Sequence, residues 1–383
     1  MQKVLFQFSK WFVGILFIFS GLIKANDPLG FGYKLQEYFE VFHISFLNDW
    51  ATGIAILLCV LEIVFGALLL WGIFRNFVVK GLLATIIFFT FLTFVSAAFK
   101  VVTSCGCFGD AIPLTPWQSF SKDLVMLVLI IYIYVNRGLI KPITAKPAVQ
   151  SGLFAAVFTA SLLFGIFTYN FLPIIDFLPY KVGSNIPENM KAPEGAAVDE
   201  YLIMYDLKHK QTGETKTMSD KDYLAKEVWK DENWEVIGSP SKKLIKKGYE
   251  VKIKDLMITD ASGTDYTKEI VENPYYSLVV VAYNLNQTNE KAIAATNALA
   301  LNAAEQFNMR TVLLTANSAQ DAEKFSKRMK LFMEVFYADA VPLKSMVRAN
   351  PGVLLIKNGT IINKWHYHSL PSFDHLTEKY FAK

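Results

Sequence analysis

The sequence predicts two parts: an α-helical transmembrane bundle of five spans, then a mixed α/β domain. Three observations carry this. Of the 383 residues, 53% are hydrophobic, too many for an ordinary water-soluble chain of this length. The apolar residues concentrate in five runs, 4–24, 51–74, 77–99, 119–136 and 151–172, each near or above the ~20 residues that cross a bilayer. From about residue 180 onward no such run recurs, and strand-like and helix-like patterns alternate instead. The formal charge of +4 points to no nucleic acid, and three cysteines exclude a disulfide framework and a four-cysteine zinc site.

The first run is too long, and lacks a convincing cleavage site, to be a secretory signal; it reads as a retained helix. Lys3 and Lys10 flank or enter its start, Arg75 and Lys80 flank the turn between the second and third runs, and Arg137, Lys141 and Lys146 lie between the fourth and fifth. The positive-inside rule makes that side cytoplasmic. Loops 25–50 and 100–118 and the C-terminal domain are then expected outside, in the periplasm of an inner-membrane protein, where disulfides persist.

Both outer loops carry structure signals. Asp27-Pro28 is a helix cap and first position. Phe31, Leu35, Tyr38, Phe39 and Phe42 follow at helical spacing, predicting a short amphipathic helix at the interface or over the bundle mouth. In the second loop, Thr115-Pro116-Trp117-Gln118 has the form of a capping box and starts the fourth span. Ahead of it stand Cys105 and Cys107, with Gly106 between them and Gly109 beyond.

A disulfide between residues i and i+2 closes a small, strained ring, and strained bonds are readily reduced. Gly106 permits the tight turn. Three readings stand: a redox exchange pair, a permanent staple, or a two-thiolate Cu(I) site. Cys59, inside the second span, reads as a small buried hydrophobe. Glu62 lies mid-span, where an ionised carboxylate must be neutral, paired or facing water. Its candidate partners are Lys24, Lys122 and Asp123, and its role is either a structural lock or proton handling near the cysteine loop.

Residues 141–189 read as the fifth span and a Pro/Gly tether, and 190–383 as the soluble domain with an N-terminal strand and hairpin extension. Within it, strands are expected at 201–206, 234–237, 277–285, 310–317, 352–357 and 360–366, and helices at 289–307 and 319–332, with Asn358-Gly359 as a hairpin turn. The end, SFDHLTEKYFAK, is expected to be helical. His366 and His368 share a face of the last strand and are expected to face water, with Trp365 opposite. Two histidines at this spacing can chelate a metal, but the sequence points to no further ligands, so no metal site is expected in this domain.

The order strand–helix–strand–helix–hairpin–helix, with Pro351 ahead of a core strand in RANPGVLLIKNGTII, resembles the thioredoxin-like fold. That resemblance implies a cis bond at Asn350-Pro351 and a binding groove beside those two residues. It does not extend to dithiol chemistry, because the stretch where the family carries Cys-x-x-Cys reads NLNQTNEKAI here.

Residues 5–140, through FIFSGLIKANDP, LEIVFGALLL and CGCFGD, resemble the DoxX/MauE family of membrane proteins. The resemblance implies a four-helix DoxX-like core over 1–140. In the methylamine-utilisation branch it implies work with a thioredoxin-like partner in disulfide maturation. The chain as a whole resembles the DoxX-family proteins of Bacteroidota, with both parts fused. The expected function is a membrane-bound thiol–disulfide redox or maturation factor, a possible oxidoreductase, using Cys105 and Cys107. Gly106, Gly109, Glu62, Lys24 and Asp123 would support them. The alternative is a non-enzymatic scaffold whose cysteine-free domain binds an envelope partner. No cofactor is implied, and a quinone is compatible but not indicated.

Overall fold

The computed structural model describes residues 2–99, 106, 108–197, 200–246 and 248–381. Cys105 and Cys107 lie outside the described residues. The chain divides into two compact units, Met1–Ser184 with Met257–Lys383, and Asn185–Leu256.

The first unit opens with α1 (Gln2–Asn26), α2 (Pro28–Val41), α3 (Ala51–Trp71), α4 (Arg75–Phe99), α5 (Pro116–Val135) and α6 (Pro147–Asn170). Among the described residues, five helices are long and apolar enough to cross a membrane: Gln2–Asn26, Ser45–Trp71, Arg75–Phe99, Pro116–Val135 and Pro147–Asn170. Their limits follow local chemistry. Asp27 caps α2 by accepting the Gly30 N–H at 2.9 Å. The α5 capping box forms, with Thr115 and Gln118 bonding each other's backbone. Gly72, at φ 71°, ends α3 and donates its N–H to the Leu68 and Leu69 carbonyls.

The bundle core joins Phe6, Val13 and Phe17 of α1 to Leu68 of α3, Leu82 of α4 and Ile130 of α5. Helices α1 and α3 approach most closely through glycines. A Cβ at Gly14 would meet the Leu70 side chain at 2.5 Å, one at Gly66 the Gly14 carbonyl at 2.7 Å, and one at Gly21 the Cys59 carbonyl at 2.9 Å. Small residues are the usual device for such contact in membrane helices, where apolar burial alone does not drive association. Helix α6 is the most peripheral span, with 17% of its apolar window buried. Cys59 is free and fully buried.

The second unit holds α7 (Ile186–Asn189), β1 (Glu200–His209), β2 (Thr215–Ser219), α8 (Asp220–Ala225), β3 (Trp234–Val236) and β4 (Ser241–Lys246). β1 pairs antiparallel with β2, β3 and β4.

The chain then returns to the first unit with α9 (Thr267–Val271), β5 (Tyr276–Val281), α10 (Glu290–Phe307), β6 (Arg310–Thr315), α11 (Ala319–Met329), β7 (Glu334–Tyr337), α12 (Ala340–Met346), β8 (Gly352–Lys357), β9 (Thr360–His366) and α13 (Phe373–Leu376). The sheet order is β7-β6-β5-β8-β9. β5, β6 and β7 run parallel, and β8 and β9 antiparallel. Central β5 and β6 are buried on both faces, which is why they read as continuous apolar runs. The elements β7 and α12 are absent from the sequence-based expectation: at four and seven residues they are too short to show a period. The Asn350–Pro351 bond is cis, the isomer the resemblance implies.

Candidate functional site

The glycine contact of α1 on α3 sets the inner part of the site. Gly21 lies one turn before Lys24, and a Cβ there would meet the Glu62 Cβ at 3.1 Å. This close approach lets Lys24 reach Glu62 directly, and the two form an ion pair at 3% and 2% exposure. The Lys24 ammonium also sits 4.4 Å from the Phe89 ring centroid and 5.1 Å from that of Phe31, contacts that favour a desolvated cation. The other expected partners of Glu62 pair elsewhere. Lys122 bonds Asp123 at 2.6 Å, and Thr93 Oγ1 donates to Asp123 Oδ2 at 3.1 Å.

Phe108 of the 100–118 loop borders the same pocket as both pairs. Gly106 and Gly109 have φ of 62° and 52°, values that favour glycine, and the Gly109 N–H closes a turn on the Gly106 carbonyl at 3.0 Å. Phe108 anchors the turn. It is 7% exposed, with its ring 5.7 Å from that of Phe19 on α1 and 5.0 Å from the Lys122 ammonium on α5.

The outer part of the site joins the bundle to the sheet. Arg348 follows α12, two residues before Asn350, and its side chain is 6% exposed. Nε donates to Asp27 Oδ2 at 2.7 Å, Nη2 to Asp110 Oδ2 at 3.0 Å, and Nη1 to the Lys344 carbonyl at 2.6 Å. The planar guanidinium, with donors in fixed directions, thus ties the α2 cap, the end of the cysteine loop and the sheet at one point. Beside it the Tyr33 and Tyr283 hydroxyls bond at 2.8 Å, and burial first, then each other's proximity, raises the Tyr33 phenol. The Lys344 ammonium lies 4.4 Å from the Tyr33 ring centroid.

These groups border a cleft of about 350 Å³ at the cysteine-loop end of the bundle. Its walls include Asp27, Lys34, Gly106, Asp110, Lys344 and Arg348, and it reaches Lys24. A cleft of this size with convergent polar groups falls in the range of ligand sites. Residues 173–178 close another wall: Asn26 exchanges two hydrogen bonds with the Ile175 backbone, at 2.7 and 3.0 Å, and Asp176 pairs with buried Lys364 of β9.

Other expected residues fall outside this constellation. Pro351 is buried, and Asn350 donates from Nδ2 to the Asn284 carbonyl at 2.8 Å. His366 corrects the expectation of a water-facing strand end. It is 3% exposed, with the ring of Phe171, the residue that follows α6, 6.5 Å away centroid to centroid. His368 is exposed and meets the Asn170 carbonyl at 2.8 Å.

Sequence reasoning missed Arg348, Asp110, Tyr33 and Phe108. Only Phe108 leaves a sequence signal, as an aromatic in an otherwise polar, glycine-bearing turn. The other three acquire meaning through contacts across up to 321 residues.

Residues 2–136 match the family described as Methylamine utilisation protein MauE. The match spans α1 to α5 and so includes the Lys24–Glu62 pair and the cysteine loop. A curated relative, Protein TlpB of Flavobacterium psychrophilum, is 26% identical over 127 residues, 32% of this chain. The chain thereby covers about a third (34%) of that relative's length. No solved structure matches.

Proposed function

We propose that the protein is a membrane-bound thiol–disulfide redox or maturation factor working through Cys105 and Cys107. The observation that carries this reading is the Arg348 bridge. It holds Asp110, three residues past Cys107, against the sheet half, and it leaves Gly106, the residue between the cysteines, on the wall of an open cleft. A client thiolate would attack one sulfur of the Cys105–Cys107 disulfide, giving a mixed disulfide and releasing the other sulfur as a thiolate. A second client thiolate would resolve it. Two electrons and two protons pass from client to pair, and a disulfide of a second protein reoxidises the pair by the same exchange.

In this reading the MauE match supports a 1–140 membrane domain of the DoxX/MauE type, and 141–189 leads to the 190–383 region. The parallel β5-α10-β6 crossover and the antiparallel β8-β9 pair support a thioredoxin-like fold for the sheet. The cysteine-loop end faces the periplasm, in keeping with the lysine and arginine distribution. The sheet serves as a docked support for the loop.

A second reading, a scaffold in which Cys105–Cys107 is a staple, is favoured by one observation. The end of β5, where a thioredoxin-like enzyme carries its dithiol, has Tyr283 bonded to Tyr33 of α2. Thiol trapping in intact cells separates the two. Exchange predicts that Cys105→Ser or Cys107→Ser accumulates mixed disulfides with envelope proteins, and that the wild-type pair is reduced by mild reductant. A pair that resists reductant, with no adducts in either variant, leaves the scaffold.

A further inference from the structure

Two cavities in the first unit share one residue as a wall. The outer cleft reaches Lys24. A second, inner pocket of about 30 Å³ is also lined by Lys24, together with Ser20, Glu62, Phe108, Asp123 and Met126. The buried Lys24–Glu62 pair and the Lys122–Asp123 pair, whose lysine is partly exposed, therefore border the same small space beneath the Phe108 anchor.

Among the described residues the charges in this space are not fully matched. Glu62 gives one oxygen to Lys24. The other, Oε2, is buried and has no hydrogen-bond partner among the described residues. A bare carboxylate oxygen away from water is costly. A pocket takes up a water where it offers roughly 10–15 Å³ and two to four polar partners; Glu62 Oε2, Lys24 and Asp123 supply those partners in a lining that is otherwise mostly apolar, with Leu16, Phe17, Ile86 and Phe89. Toward the opposite end of the bundle the path is closed: Val13, Leu82, Ile130 and Ile133 are at most 1% exposed and belong to the apolar core.

We propose that the inner pocket is a hydrated site, holding about two waters on Glu62 Oε2 and the Asp123 pair. These waters exchange with solvent through the outer cleft, past Lys24. Glu62 then has water and proton access from the cysteine-loop end of the bundle and none from the other end. The site does not depend on whether Cys105 and Cys107 exchange.

Hydroxyl-radical labelling of the full chain in lipid nanodiscs tests this, because radicals formed from bound water oxidise only neighbouring side chains. Met126 lines the pocket and is 2% exposed; Met309 and Met333, at 6% and 4%, sit in the apolar core of the sheet half. Met126 is expected to oxidise several-fold faster than both, and in heavy-oxygen water its sulfoxide should carry the bulk isotope. Equal, slow labelling of all three overturns the proposal. Direction is read from two variants. Lys24→Ala combined with Glu62→Gln, which leaves no net buried charge, should raise the Met126 rate, whereas Val13→Ala should not. The reverse pattern overturns access from the cysteine-loop end. Should the double variant fail to fold, the wild-type comparison and Val13→Ala still decide.

Discussion

The Lys24–Glu62 pair and the Arg348 clasp both remove charge from water, and they do so by different means. Lys24 and Glu62 meet inside the bundle, with each side chain at most 3% exposed and one carboxylate oxygen without a hydrogen-bond partner among the described residues. Arg348 is nearly as buried, at 6%, but its carboxylates lie at the surface, with Asp27 at 17% and Asp110 at 50% exposure. In the first case both ions pay for desolvation; in the second the guanidinium does so while its partners keep part of their hydration. The difference teaches which contact is a lock and which is a clasp. A lock fails when either member is lost, whereas a clasp yields in proportion to how deeply the lost partner was buried.

The largest effect is therefore expected at the lock. Glu62→Leu strands the Lys24 ammonium and should cost about 3–5 kcal/mol, the usual penalty for breaking a buried pair. Glu62→Gln keeps a hydrogen-bonding group and should cost on the order of 2 kcal/mol. Unfolding in mixed micelles measures both. The double variant Lys24→Met with Glu62→Leu should recover most of the loss, since a well-packed apolar pair often equals a buried ion pair. Equal tolerance of Glu62→Leu and Glu62→Gln would remove the lock reading.

The clasp should give smaller and unequal effects. Arg348→Met should cost about 2 kcal/mol, below the range for a fully buried pair, because the two carboxylates regain water. A double-mutant cycle sharpens this. Coupling of Arg348 to Asp27 should exceed its coupling to Asp110, which should fall within the ~0–1 kcal/mol typical of exposed pairs. Equal couplings would show that the bridge to the cysteine loop is as rigid as the bridge to the α2 cap.

The same contrast explains what was legible in the sequence. A charge inside an apolar run is conspicuous, so Glu62 stood out and Lys24 could be proposed as its partner. What the run could not show was reach, because that depends on Gly21 letting α1 close on α3. The caps at Asp27 and Thr115 and the strands β5, β6, β8 and β9 were legible because each rests on local chemistry or a continuous apolar pattern. The clasp was not. Asp27, Asp110 and Arg348 are ordinary polar residues until the chain brings the α2 cap, the loop turn and the end of α12 together. For His366 the alternating pattern gave its face of β9 but not the Phe171 ring that lies beside it just past α6.

The histidine at the end of β9 supplies an effect confined to acid pH. Burial, aided by His368, lowers His366 from 6.5 to about 4. Its Nδ1 accepts the His368 N–H at 3.1 Å, and an imidazolium, a donor at both nitrogens, loses that bond. The unfolded chain takes up the proton near pH 6.5 and the folded chain only near 4. The contribution of His366 is thus fully present above about pH 6.5 and is lost as pH falls toward 4. The melting curve of the wild type alone does not isolate this effect from the chain's other ionisable groups. The difference between wild type and His366→Phe does: it should be flat above neutrality and shift in favour of the variant below about pH 6. A difference that stays constant through that window would mean that His366 is hydrated and titrates as it does in the unfolded chain.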